Sequence, residues 1–135
     1  MKLKTEVFEK AIRQLEQTMR YCEKETDAIK KNMLRTASIQ CFEYTYELAV
    51  KMLKRQLREM MASAEVEELT FKDFIRTGAE KGLIDEPTEW FGFKEKRNLT
   101  AHTYNETTAE DIYAVLGNFF KKAQFLLAQI KKHNR

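Results

Sequence analysis

Apolar residues return along this chain at alternating steps of four and three, the period of an α-helix with one buried face. Phe8, Ile12, Leu15, Met19 and Cys22 form one such line, predicting a first helix from about Thr5 into the late twenties. A second line carries Ile39, Phe42, Tyr46, Ala49, Leu53 and Met60, with Cys41, Leu48 and Met52 beside it. A stripe that wide predicts a central helix with more than one neighbour. It is expected to begin between Asn32 and Thr36 and to run to about Ala62, with the polar stretch EKETDAIKKN as the preceding turn.

The segment AEVEEL, residues 64–69, reads as an acidic connector. Thr70 then suits a helix N-cap with Asp73 three residues on, and Phe71, Phe74 and Ile75 give a short third helix its apolar face. Gly82 is the expected stop of that helix, and Pro87 fits the first turn of a fourth, where its missing N–H costs nothing. Trp90, Phe91 and Phe93 follow as aromatic anchors. The fourth helix should fail near Ala101, because Thr103, Asn105, Thr107 and Thr108 are poor helix formers. Thr107-x-x-Glu110 reads as a capping box opening a fifth helix, on which Ile112, Leu116, Phe119, Ala123, Leu126 and Ile130 keep the helical period. The expectation is an all-α fold: an up-and-down four-helix bundle with one additional short helix across one end, forming a single domain over residues 1–135.

Composition agrees with that class and narrows the function little. Four glycines and one proline in 135 residues leave scant material for hairpins, which argues against a β-rich fold. The formal net charge of +3 is too small to establish nucleic-acid binding; it suits RNA or an acidic protein face equally. Cys22 and Cys41 are isolated thiols without C-x-x-C spacing, as in a reduced cytoplasmic protein. The start, MKLKTEVFEK, lacks the apolar run of a signal peptide, and no segment approaches the ~20 apolar residues of a membrane span, so a cytoplasmic location is expected.

Chemistry concentrates in Arg97-Asn98-Leu99-Thr100-Ala101-His102-Thr103-Tyr104. Arginine is a permanent cation with a rigid fork suited to phosphate oxygens. Histidine exchanges a proton near neutral pH. Together they could cleave RNA without a metal, the imidazole moving the 2′-hydroxyl or leaving-group proton and the guanidinium steadying the charge developing on phosphorus. The spacing alone equally fits a surface helix end, where Arg, Asn and His are common. In an unbroken α-helix residues five apart differ by about 140° around the axis, so Arg97 and His102 would diverge. Their convergence needs the helix to end before His102, or a second copy of the motif facing the first.

The segments IQCFEYTYELAVKML (39–53), FKDFIRTGAEKGLID (71–85) and RNLTAHTYNETTAEDIY (97–113), in that order and spacing, closely resemble the nucleotidyltransferase substrate-binding protein family, a branch of the HEPN superfamily. The resemblance runs over roughly residues 5–130. It implies a helical bundle that dimerises and a partner, a cognate minimal nucleotidyltransferase. Some members resemble ribonuclease toxins restrained by that partner, which adenylylates the motif tyrosine; others are known only as substrate-binding subunits. On this pattern Arg97 and His102 would be catalytic, Asn98 supporting and Tyr104 the modification site.

Other candidates are less specific. Lys51, Lys54, Arg55 and Arg58 keep to one side of the second helix, a stripe able to follow a phosphate backbone or simply a solvated face. Glu43 and Glu47, one turn apart in an apolar helix, should meet an arginine or a tyrosine hydroxyl, with Arg97 the obvious partner. No metal-ligand set, cofactor motif, phosphate-binding G-x-x-x-x-G-K-[ST] loop or nucleotidyltransferase G-S with paired aspartates is visible. Two readings remain open: a metal-independent endoribonuclease toxin subunit, or a non-catalytic substrate-binding subunit of a nucleotidyltransferase. The cluster Trp90, Phe91 and Phe93 exceeds what one side of a bundle needs, which predicts a two-fold homodimer pairing the motifs across a shared cleft.

Overall fold

A computed structural model describes residues 2–135. Its α-helices are α1 (Glu6–Lys24), α2 (Ala28–Met60), α3 (Ser63–Glu68), α4 (Phe71–Glu80), α5 (Pro87–Leu99), α6 (Glu106–Tyr113) and α7 (Leu116–His133), with a 3₁₀ turn over Thr100–His102. The described residues contain no strand. The bundle is formed by α1, α2, α5 and the α6–α7 pair, with α2 touching every other helical segment of the bundle.

The apolar lines of the sequence become the core. Phe8, Ile12, Leu15, Phe42, Ala49, Leu53, Phe119, Ala123, Leu126 and Ile130 are all buried in one cluster. At about 25 cal/mol per Å² of apolar surface, burying each large member contributes roughly 1.5–3 kcal/mol against the entropy of ordering the chain. Helix α4 lies close on α2 at Gly78, where a Cβ would meet the Leu53 side chain at 3.1 Å. The chain ends clasp one another: Leu3 N–H donates to Asn134 Oδ1 at 3.0 Å, and Asn134 Nδ2 donates to Leu3 O at 2.9 Å. Beside them Lys131 Nζ reaches Glu9 Oε1 at 2.7 Å, the main reason the Glu9 carboxyl titrates below its ordinary value.

Several local expectations hold for the reasons given. Thr70 Oγ1 accepts from Asp73 N–H at 3.2 Å, Gly82 adopts φ +76°, and Pro87 opens α5. Others need correction. Helix α1 ends at Lys24, and α2 starts at Ala28, four residues or more before the expected point, because the Asp27 carboxylate accepts from Lys30 N–H at 2.9 Å and caps it. The acidic connector forms the short helix α3, so two short helices rather than one stand outside the bundle. The Thr107 capping box does not open α6: Asn105 does, its Oδ1 accepting from Thr108 N–H at 3.2 Å. The expected fifth helix is two, broken where Val115 N–H bonds the carbonyl of Ile112 three residues back.

The aromatic argument for a dimer also fails. Trp90 is 0% exposed and Phe93 3%, both stacked edge-on against Phe119, so two of the three rings serve the core of their own chain. Phe91 stays half-buried, 6.5 Å from the Phe71 ring. Among the described residues, no helix is long and apolar enough to cross a membrane.

Candidate functional site

Helix α5 delivers the motif and ends inside it. Its last α-helical residue is Leu99, after which the backbone tightens into the 3₁₀ turn and reverses at Thr103 and Tyr104 before Asn105 caps α6. Lys122 fixes the other end of α5. From α7 its ammonium reaches Asp85 at 3.1 Å, Glu86 at 3.2 Å and Glu89 at 3.7 Å, holding its proton above the usual lysine range against the opposing effect of burial.

Arg97 turns from this frame toward α2. Its Nη2 donates to Glu47 Oε1 at 2.5 Å, and Nη1 lies 3.8 Å from Glu43 Oε2 and donates to Thr100 Oγ1 at 3.3 Å. The Thr100 hydroxyl lies 2.5 Å from Glu43 Oε2 and 2.7 Å from the Arg97 carbonyl, so it closes a ring of polar contacts around the guanidinium. The hydrogen bond to Glu47, ahead of the attraction of Glu43, raises the Arg97 pKa above its already high ordinary value. Its charge is therefore permanent and its position fixed, while Nε is buried without a partner. The carboxylates that the sequence assigned to Arg97 do meet it. They do so at the rim rather than in the core, with side chains 43% (Glu43) and 56% (Glu47) exposed.

His102 and Tyr104 face water. Their rings meet edge to face, 6.1 Å between centroids, and Tyr104 is 86% exposed. Rotation of about 100° per α-helical residue and about 120° per 3₁₀ residue leaves Arg97 and His102 on nearly opposite sides of the segment. The helix does end where expected, yet that ending does not bring the two together within one chain. Asn98 is exposed and lines a groove toward α4, with Thr70, Phe71 and Phe91, rather than joining His102.

The cationic stripe of α2 is half consumed. Lys54 reaches Glu67 of α3 at 3.3 Å and Arg58 pairs with the same carboxylate, which leaves Lys51 and Arg55 as the exposed pair. Among the described residues no three His, Cys, Asp or Glu side chains converge to hold a metal ion. Sequence reasoning missed the part played by Thr100, whose signal was its place three residues beyond Arg97.

Residues 3–132 match the family described as nucleotidyltransferase substrate binding protein like, and the chain belongs to that family. A Haemophilus influenzae protein named "Probable ribonuclease HepT" is 35% identical over 109 residues, 80% of this chain and 75% of the relative. The solved structure of HI0074 from Haemophilus influenzae, described as revealing the fold of a substrate binding domain of a nucleotidyltransferase, superposes with a TM-score of 0.90. It is 32% identical, covering 95% of this chain and 99% of that one. A second crystal structure, of ttk003001694 from Thermus thermophilus, superposes with a TM-score of 0.72 at 30% identity, covering 91% and 98%.

Proposed function

We propose that this chain is the ribonuclease toxin subunit of a toxin–antitoxin pair, restrained by a cognate minimal nucleotidyltransferase. The observation that carries this reading is the exposed His102–Tyr104 pair on a turn that contributes nothing to the core, following a helix whose Arg97 guanidinium is held in place by Glu43 and Glu47. His102 takes the 2′-hydroxyl proton, the 2′-oxygen bonds to phosphorus, and the bond to the 5′-oxygen breaks as that oxygen gains a proton. Arg97 stabilises the charge on the phosphoryl oxygens. Because Arg97 and His102 diverge within one chain, the working site combines two motifs across a two-fold homodimer, each copy lending groups to the other. The products are a 2′,3′-cyclic phosphate and a 5′-hydroxyl, and no metal is required.

Restraint comes through Tyr104. Its phenolic oxygen attacks the α-phosphorus of ATP held by the partner nucleotidyltransferase, and pyrophosphate leaves. The added AMP places negative charge beside His102, where the scissile phosphate must sit. The relative named a probable ribonuclease supports this reading, and the neighbour described as a substrate binding domain of a nucleotidyltransferase supports the partner. The rival, a non-catalytic subunit of the nucleotidyltransferase, draws on one observation: Glu43 and Glu47 already give Arg97 a structural task. Expression of the chain alone separates the two. Growth arrest relieved by His102→Ala, and relieved by the partner through an AMP mass increment absent in Tyr104→Phe, supports the toxin. Wild-type chain without toxicity and without cleavage of RNA supports the rival.

A further inference from the structure

The groove that Asn98 lines has a volume of about 510 Å³ and is walled by Phe71 and Phe91, with Lys72 and Lys94 at its edge. Both rings are half-buried, and both carry a cation. Lys94 Nζ sits 4.1 Å from the centroid of Phe71, and the Arg76 guanidinium carbon 5.8 Å from that of Phe91. Arg76 is 3.8 Å from Asp73 and Glu95 also lines the groove, so Lys72 and Lys94 leave the wall itself with a small positive excess. Asn98 stands four residues before His102. At 1.5–2.0 Å rise per residue, that places the groove's end roughly 6–8 Å along the axis from the histidine, about one nucleotide step.

We infer that this α4–α5 groove is a subsite for single-stranded RNA, seating a nucleotide next to the scissile phosphate. The inference rests on the ribonuclease reading for its orientation toward His102, and on the groove's own chemistry for the choice of ligand. Aromatic faces interleaved with lysines suit a strand that offers flat bases and phosphates in alternation. An exposed cation–π contact is weak, so a base can displace Lys94 from Phe71, and the displaced ammonium remains within reach of the adjoining phosphate. Asn98 then presents donors and an acceptor to a base edge. This surface pairs two aromatic walls with its lysines, whereas the α2 stripe has Tyr44, 50% exposed, two turns before Lys51 and spends two of its four cations on Glu67.

The test uses full-length protein carrying His102→Ala, so that RNA survives, and a fluorescent ten-nucleotide oligouridylate. In this background Lys72→Glu with Lys94→Glu should weaken binding about tenfold or more near 0.15 M salt. The slope of log affinity on log salt should fall by about 1.4 for the two lost contacts. The reversal Lys4→Glu with Lys10→Glu, an equal charge change at exposed positions on the amino-terminal side, should stay within about twofold. Phe71→Leu should weaken binding while leaving the salt slope unchanged. Equal affinities for the two double variants would overturn the inference, as would no binding by the His102→Ala background. Loss of nucleotidyltransferase capture with RNA affinity intact would reassign the groove to protein docking. Wild-type protein that binds through the groove but leaves RNA uncut would sink the ribonuclease reading alone.

Discussion

Two sets of aromatic rings in this molecule touch in the same way and do opposite things. Around Phe119 the rings of Phe42, Phe93 and Trp90 stand edge-on at 4.9, 5.1 and 6.0 Å, with every member buried. On the motif turn His102 and Tyr104 stand edge-on at 6.1 Å in open water. Inside, each contact accompanies removal of a large apolar area from solvent, which is the dominant favourable contribution to folding. Outside, almost nothing is removed from solvent, so the pair contributes little to stability. The lesson is that ring geometry does not reveal purpose; exposure does. The Phe119 cluster is accounted for by the fold, and the His102–Tyr104 pair is not.

The comparison breaks most visibly by truncation. Phe119→Ala should cost about 3–5 kcal/mol in urea unfolding, because the rigid rings around it cannot collapse into the space left. Tyr104→Ala should stay within about 0.5 kcal/mol of wild type, as expected for a surface substitution. Equal losses for the two would erase the distinction.

A second test reads the boundary between the regions. Tyr46 packs against Phe42 and Phe119 from α2, and burial pushes its phenol from 10.0 up to about 12, against the opposing pull of Arg97. A phenol whose folded value is raised keeps its proton longer folded than unfolded, so folding gains stability below pH 10 that is lost as pH rises through about 12. Stability should therefore fall between about pH 10 and 12, and the fall should shrink in Tyr46→Phe. An identical alkaline profile in that variant would show the ring to be solvated.

The smallest effect concerns the hinge between motif and bundle. Asn105 ends the turn and caps α6, so Asn105→Ala should cost about 1 kcal/mol while Asn105→Asp keeps most of it. Thr107→Ala should be nearly silent, and a larger loss at Thr107 than at Asn105 would restore the cap expected from sequence.

What the sequence made legible and what it hid divide along physical lines. Period and caps are local, so the lines through Phe8, Phe42 and Phe119, the Thr70 cap and the end of α5 near Ala101 could be read directly. The break between α6 and α7 could not, because Ile112 and Leu116 keep the apolar spacing across it. Asp27 offered a cap for α2, but the few apolar residues between 28 and 32 masked it. Trp90 and Phe93 announced an apolar face without saying whether α7 or a second copy covers it, since pattern gives a face and not its neighbour. The capture of Lys54 and Arg58 by Glu67 is likewise a meeting of segments that no spacing rule predicts. Within the site, the Glu43–Glu47–Arg97 cluster was legible from charge in an apolar helix. The turning of Asn98 into the α4 groove was not.

The central claim is that the turn is kept for chemistry rather than for folding, and one paired measurement on His102→Ala tests it most directly. Melting temperature and cleavage of a defined RNA in EDTA are compared with wild type, from the same preparation. The account predicts an unchanged melting temperature, cleavage slowed by about 10² to 10⁴, and 2′,3′-cyclic phosphate ends on the wild-type products. Undiminished cleavage by His102→Ala, or a loss of cleavage matched by a loss of folded protein, would contradict it.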